Sequence, residues 1–387
     1  MVSTGVDVIL RDGKERKHLI NKKLGLITNP TGVTGSLERT LDVLHRDFHL
    51  MALFSPEHGL HGEIQDALKI PEYRDDSTGL PVYSLYGDER KPTAEMLEGI
   101  DALIFDIQDI GVRFYSYITT MVFAMEACAE HGKEFIVLDR PNPIGGTVVS
   151  GNIIEEGFTS FLGLPGLTIQ HGLTVGELAI WANETLKIRC NLIVVKMQGW
   201  NRDTWYDETG LPWVMPSPNM PTLDTATVFP GMCFIEGINV SEGRGTTRPF
   251  ELIGAPWMQA KSLAGALNSE GLSGCVFRSC CFAPTFSKYA GLLCQGVQVH
   301  VKDREAFEPI ATGIVILKTI KRLWPRQFCW VKTLERTSRG MLHIDILAGT
   351  DKLRKVIDKD GDTDSLMEQW RLESWRFQEE RKDFLLY

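Results

Sequence analysis

Short apolar runs ending in polar or acidic residues punctuate the first 200 positions, with helical spacing between them. This alternation restricts the chain to βαβ units around a parallel sheet, because a strand buried on both faces reads as an unbroken apolar run. Residues 24–28, 50–54, 81–86, 101–106, 134–139 and 191–196 are the strand candidates. A helix is expected from Ser36 through Leu37, Leu41 and Leu44, a second over 114–131 with Gly132 as its stop, and a third over 174–186. Thr174 and Glu177 have capping-box spacing at the start of that third helix. The expected fold class is α/β: a Rossmann-like parallel sheet with helices on both faces, plus a second, smaller α+β domain.

The second domain follows from a loss of strict alternation. Pro212, Pro216, Pro218 and Pro221 make 211–221 an extended loop. Beyond it, strand candidates at 231–239, 275–281 and 292–301 mix with helices at 257–267, 306–323, 351–357 and 363–384. A chain of 387 residues exceeds a usual single core. The division expected is 1–225 for the Rossmann-like catalytic domain and 226–387 for a domain closing the cleft.

A net charge of −9 argues against a nucleic-acid partner held by bulk electrostatics, while leaving room for a small anion gripped by one or two arginines. No apolar run approaches the ~18 residues that cross a bilayer. The first seven residues lack the basic head and apolar stretch of a signal peptide, so the expected location is cytoplasmic unless a leader was removed. The eight cysteines form no CxxC pair, which disfavours structural zinc and redox motifs and favours reduced, buried thiols. The glycines of Thr31-Gly-Val-Thr-Gly35 do not form a dinucleotide fingerprint, and no cofactor or metal is expected.

Polar groups concentrate in four loops: 55–63, 106–117, 139–143 and 236–249, joined by His171-Gly-Leu-Thr174 and Pro216-Ser-Pro-Asn219. In an open α/β sheet, ligands bind beyond the carboxyl ends of the strands, where the first three of these loops fall. Glycosidic cleavage needs a proton donor and a second group that stabilises or attacks the anomeric carbon. Glu57, just after the strand-ending Pro56, suits the donor; Asp106 and Asp109 are the candidates for the second carboxylate, and Asp106 is equally suited to bonding loop amides. Arg113, Arg140, Arg244 and Arg248 fit either a ligand carboxylate or structural ion pairs, with Arg244 favoured for its Glu242-Gly-Arg-Gly245 setting. His58, His61, Gln108, Tyr115, Asn142, His171, Asn219 and Glu242 complete the expected substrate-binding set. Phe114, Tyr115 and Tyr117 suit a sugar platform or core packing. A metal site drawn from His58, His61, Glu63 and Asp106 matches no HExxH-type spacing.

The blocks Gly25-Leu-Ile-Thr-Asn-Pro-Thr-Gly32, Phe54-Ser-Pro-Glu-His-Gly59, Asp106-Ile-Gln-Asp109, Arg113-Phe-Tyr115, Asp139-Arg-Pro-Asn-Pro143, Pro216-Ser-Pro-Asn219 and Ser241-Glu-Gly-Arg-Gly-Thr246 occur in this order. Together they resemble the exo-lytic β-N-acetylmuramidases, NamZ-like glycoside hydrolases formerly described as a domain of unknown function. The resemblance implies removal of N-acetylmuramic acid from the non-reducing end of peptidoglycan fragments, in a cleft between a Rossmann-like domain and a smaller one. It also implies that Glu57 is the essential acid and that the partner is a small muropeptide or disaccharide. Two other classes remain open on the residues themselves: a non-catalytic muropeptide-binding protein, and a metal-dependent amidase using His58, His61 and Glu63.

Overall fold

The computed structural model describes residues 1–62, 73–87, 89–333, 338 and 340–387. Seven strands form the main sheet: β1 (Lys23–Thr28), β2 (His49–Ser55), β3 (Tyr73–Arg74), β4 (Pro81–Ser84), β5 (Ala102–Asp106), β6 (Glu134–Leu138) and β9 (Asn191–Val195). Their order is β3-β4-β2-β1-β5-β6-β9, all parallel except β3 against β4. Between β6 and β9 lies a small antiparallel pair, β7 (Ser150–Ile153) and β8 (Thr168–Gln170). In the later half, β10 (Leu252–Ala255), β11 (Cys275–Phe282) and β12 (Cys294–Val301) form an antiparallel sheet in the order β10-β12-β11. The helices are α1 (Gly5–Arg11), α2 (Gly13–Arg16), α3 (Thr40–Asp47), α4 (Tyr117–Glu130), α5 (Val175–Thr185), α6 (Leu223–Met232), α7 (Ala260–Ser269), α8 (Pro309–Leu323), α9 (His343–Ala348), α10 (Lys352–Asp358) and α11 (Thr363–Glu380). Among them, none is long and apolar enough to cross a membrane.

Two sequence expectations need correction. Residues 231–239 are not a strand: Gly231 and Met232 end α6, and Cys233–Gly237 is a 3-10 turn. The run is apolar because it is buried on every side, and short apolar runs do not separate strand from helix. Gly231 also lies where α6 crosses α8, and a Cβ there would sit 1.7 Å from the Pro309 carbonyl oxygen. The first long helix starts at Thr40 rather than Ser36, because Leu37 takes a left-handed φ of 67° that no helix continues through. The α5 capping box forms as its sequence dictates, Glu177 N–H donating to Thr174 Oγ1 and Thr174 N–H to Glu177 Oε2.

One apolar core runs from the main sheet through α4 and α5 into the later helices, joining Phe105, Phe135 and Ile118 to Phe229, Ile314 and Phe377. The carboxyl-terminal helix packs back across the first half of the chain. Ser374 Oγ donates to the Gly151 carbonyl at 2.7 Å, and the buried Arg381 donates to the carbonyls of His171 and Gly172. Tyr387 OH then donates to Asp139 Oδ2 at 2.7 Å.

Asp139, at the end of β6, also accepts from Thr174 Oγ1 and the N–H groups of Arg140 and Gly176. Burial outweighs these donors and pushes its carboxyl from 3.8 up to about 7. A carboxyl raised in the folded state binds a proton that the unfolded chain has released. Its contribution is therefore full below about pH 4 and is lost as pH rises through about 7. Urea unfolding should show wild type losing roughly 2–3 kcal/mol between pH 5 and 8 from this group, at ~1.4 kcal/mol per unit. The same titration on Asp139→Asn should be flatter; a parallel pair of profiles would remove the assignment.

Candidate active-site cleft

The order of strands turns around at β1: the chain moves outward through β2 and β4, then returns to place β5 on β1's other side. Ligands in such sheets usually occupy the crevice beyond that turning point. Here protein groups fill it. Thr28 Oγ1 donates to the Asp106 carbonyl, Thr40 Oγ1 donates to Asp106 Oδ2 at 2.5 Å, and Arg140 grips both Asp106 oxygens at 2.6 and 2.9 Å. Asp106 is wholly buried and Arg140 nearly so. The two therefore form a buried ion pair that does not line the main cleft.

Other expected site residues also bond to neighbouring protein groups. Gln108 Nε2 donates to the carbonyls of Asp109 and Pro141. Asp109 Oδ2 accepts the Gly111 N–H at 2.6 Å and lies 3.6 Å from His171 Nε2. His171 is fully buried and its Nδ1 accepts the Leu173 N–H, whose carbonyl takes the Asn142 side chain. Arg113 is fully buried and donates to the carbonyls of Asn152, Leu167, Leu347 and Ala348, tying the two halves of the chain together; burial lowers its guanidinium to about 9. None of these five lines the main cleft. Arg248 pairs with Glu251 at 3.3 Å and Asp224 at 3.5 Å. Gln108, Arg113 and Asn142 thus serve carbonyls that the loops would otherwise leave unsatisfied, while Gln108 Oε1, Asp109 Oδ1 and His171 Nε2 are buried with no hydrogen-bond partner among the described residues.

The main cleft, about 620 Å³, opens where the loops after β2 and before α4 meet the segment following α6. Of the expected residues it gathers Glu57, His58, Tyr115, Asn219, Glu242 and Arg244. Pro56 ends the β2 run, and His58 and Gly59 take φ of 72° and 84°, so the chain reverses sharply and the Gly59 N–H donates back to the Pro56 carbonyl. Glu57 sits half-buried on this turn, its Oε2 accepting Ser116 Oγ at 2.5 Å. Tyr115 packs edge-on against Tyr117 and Phe229 at 5.0 and 6.1 Å. Burial, then the neighbouring Tyr117, pushes the Tyr115 phenol well above its ordinary range and keeps it a neutral O–H. Tyr117 OH and Asn29 Nδ2 both donate to the Pro216 carbonyl, which anchors the proline loop so that Ser217 and Asn219 face the cleft.

The later half contributes a charged wall that sequence reasoning largely missed. Arg244 Nη2 donates to Glu236 Oε1 at 2.8 Å, and His343 Nε2 lies 3.3 Å from Glu236 Oε2, with its Nδ1 3.1 Å from Thr333 Oγ1. Arg244 Nε is 3.5 Å from Glu242 Oε1, and its guanidinium rests 5.1 Å from the Phe250 ring centre. Lys288 Nζ donates to the carbonyls of Ile235, Glu236 and Val240 and lies 3.0 Å from Glu242 Oε2. Gly245, expected to admit a ligand, instead admits protein: a Cβ there would lie 2.7 Å from the Phe286 backbone. Arg90 and Phe161 close another part of the lining, with the guanidinium 4.3 Å from the ring centre. Glu236 lay inside a polar loop already singled out; His343, 107 residues later, gave no local signal.

His61 faces a separate, smaller pocket of about 170 Å³, near Asp75 at 3.9 Å, and does not converge with His58. Glu63, the third member of the metal-dependent alternative, lies outside the described residues. Among the described residues no three His, Cys, Asp or Glu side chains group as a metal site requires. All eight thiols are free, five of them buried.

Residues 24–224 match the family model described as exo-beta-N-acetylmuramidase NamZ, N-terminal, and residues 227–387 match its C-terminal counterpart. A relative from Bacillus subtilis (strain 168), peptidoglycan beta-N-acetylmuramidase NamZ, is 47% identical over 388 residues, covering 100% of this chain and 91% of its own. Two crystal structures of DUF1343 family proteins from Bacteroides fragilis NCTC 9343 share the fold. One has a TM-score of 0.90 at 38% identity, the other 0.79 at 31%, and each alignment covers 100% of this chain and 99% of that one. With both family models matched in succession and a full-length relative at this identity, the chain belongs to the exo-beta-N-acetylmuramidase NamZ family.

Proposed function

We propose that the chain is an exo-acting glycoside hydrolase that releases N-acetylmuramic acid from the non-reducing end of peptidoglycan fragments, with Glu57 as general acid. Family membership carries the reaction class, and the half-buried Glu57 carboxyl in the main cleft carries the assignment of the acid. A carboxyl so placed can protonate the leaving oxygen while the cleft excludes bulk water from the bond being broken. The two parts of the chain act as a sheet domain, 1–225, and a closing domain, 226–387. In a cytoplasmic setting the substrate is an imported or recycled disaccharide fragment. Incubation with a muramic acid–glucosamine disaccharide should liberate free N-acetylmuramic acid; saturable binding without turnover would mean a non-catalytic muropeptide-binding protein instead.

N-acetylmuramic acid carries a lactyl carboxylate, which needs a cation. Of the arginines advanced from the sequence, Arg244 is the one in the cleft, and Glu236 and Glu242 already oppose its charge. Lys332, an exposed side chain, also lines the cleft. Lys332 supplies a second cation for the lactyl group beside Arg244. A charge-assisted contact is worth ~1.5–3 kcal/mol, so Lys332→Ala should lower the preference for muramic over glucosamine substrates by ~10-fold or more. Unchanged discrimination in that variant would return the role to Arg244.

A further inference from the structure

Among the described residues, the acids lining the main cleft are Glu57, Glu236 and Glu242, and neither Asp106 nor Asp109 is one of them. We infer that Glu236 is the second carboxylate of the reaction, placed to oppose the positive charge that develops at the anomeric centre. The inference rests on the glycosidase reading above and names the partner that Glu57 requires.

Accessibility separates Glu236 from Glu242. The Glu242 side chain is 2% exposed and lies between Arg244 and Lys288, whereas Glu236 is 19% exposed at the cleft wall. A comparison with the structural pair is equally telling. Asp106 and Arg140 are 0% and 4% exposed, sealed from any ligand, while Glu236 and Arg244 are 19% and 16% exposed. An ionised carboxylate offers about four lone-pair sites, and Arg244 and His343 take one on each oxygen. Both oxygens keep a site for substrate. Burial alone would raise the Glu236 carboxyl, but Arg244 and His343 overcome it and hold the group well below the usual carboxylate range.

Position on the chain supports a division of labour. Glu57 stands on the turn after β2, and Glu236 on the 3-10 turn after α6, so each half of the chain supplies one acid. Lys288 fixes the Glu236 turn through the carbonyls of Ile235, Glu236 and Val240. In the step itself, the bond from the anomeric carbon to the leaving oxygen breaks as Glu57 delivers its proton to that oxygen. The anomeric carbon is left electron-poor beside the Glu236 carboxylate. Water then adds to that carbon and returns a proton to Glu57, so the enzyme ends as it began and one water is consumed.

The test compares wild type, Glu57→Gln, Glu236→Gln and Glu236→Asp on two substrates: the muramic acid–glucosamine disaccharide and a 4-nitrophenyl muramic acid glycoside. Loss of an acid is felt mostly with the poor leaving group. Loss of a charge-stabilising carboxylate should lower kcat on both substrates alike, by on the order of 10²–10³-fold. A second measurement is independent of turnover: binding of a cationic piperidine iminosugar of muramic acid configuration, beside binding of neutral-ring N-acetylmuramic acid. Glu236→Gln should bind the iminosugar at least ~10-fold more weakly, as a lost charge contact requires, with the sugar held as in wild type. Glu236→Asp keeps the charge and should keep most of that iminosugar affinity, which guards against a folding artefact. Turnover near wild type in Glu236→Gln, or equal weakening of both ligands, would overturn the role of Glu236. Failure of wild type to cleave either substrate would overturn the parent glycosidase reading instead.

Discussion

Glu57→Gln is expected to fold as wild type and to lose ~10²–10⁴-fold in turnover on the disaccharide, the usual cost of removing a general acid. The side chain is half-buried at a cleft edge, and its hydrogen bond in the structure is to Ser116 Oγ at 2.5 Å. Glutamine keeps an oxygen to accept that bond, so stability should change little. What disappears is the transferable proton. Replacing the sugar leaving group with 4-nitrophenol removes most of the need for protonation, and the variant should recover much of its rate on that substrate. Near-wild-type hydrolysis of the disaccharide by Glu57→Gln would remove Glu57 from the mechanism. Ser116→Ala should reproduce a small part of the loss, because it frees the carboxyl to rotate without taking its proton.

The parallel sheet was legible because its strands obey a single physical rule. Ala102–Asp106 is buried along its whole length, and such a strand can only be an apolar run. Glu57 was legible for a related reason, since Pro56 cannot continue the ladder and must hand the chain to a loop at the ligand edge. The fate of the other polar residues was not. Asp106, Arg140, Gln108 and His171 sit in the expected loops, yet they turn toward one another or toward backbone. Whether a polar side chain faces a ligand or a neighbouring carbonyl depends on distances that close only in the folded chain. Glu236 and His343 make the same point in the other direction. Their pairing requires α9 to dock beside the turn after α6, a contact no local pattern encodes.

Arg140→Ala supplies the contrasting case, a large effect on stability with little on specificity. Removing the guanidinium leaves Asp106 buried with Thr40 as its remaining side-chain donor. It also leaves the Val33 carbonyl without the donor from Nη2. Breaking a buried pair from one side typically costs ~3–5 kcal/mol, because the surviving charge stays out of water without its partner. Chemical denaturation should show a loss of that size, while the folded fraction keeps its KM and its preference for the lactyl sugar. The double variant Asp106→Leu with Arg140→Met should recover much of the stability, since apolar groups of similar volume often replace a buried pair at little cost. If Arg140→Ala instead unfolded like wild type and lost only its preference for muramic acid, the pair would be open to substrate in solution. The plugged crevice between β1 and β5 would then be a ligand site after all.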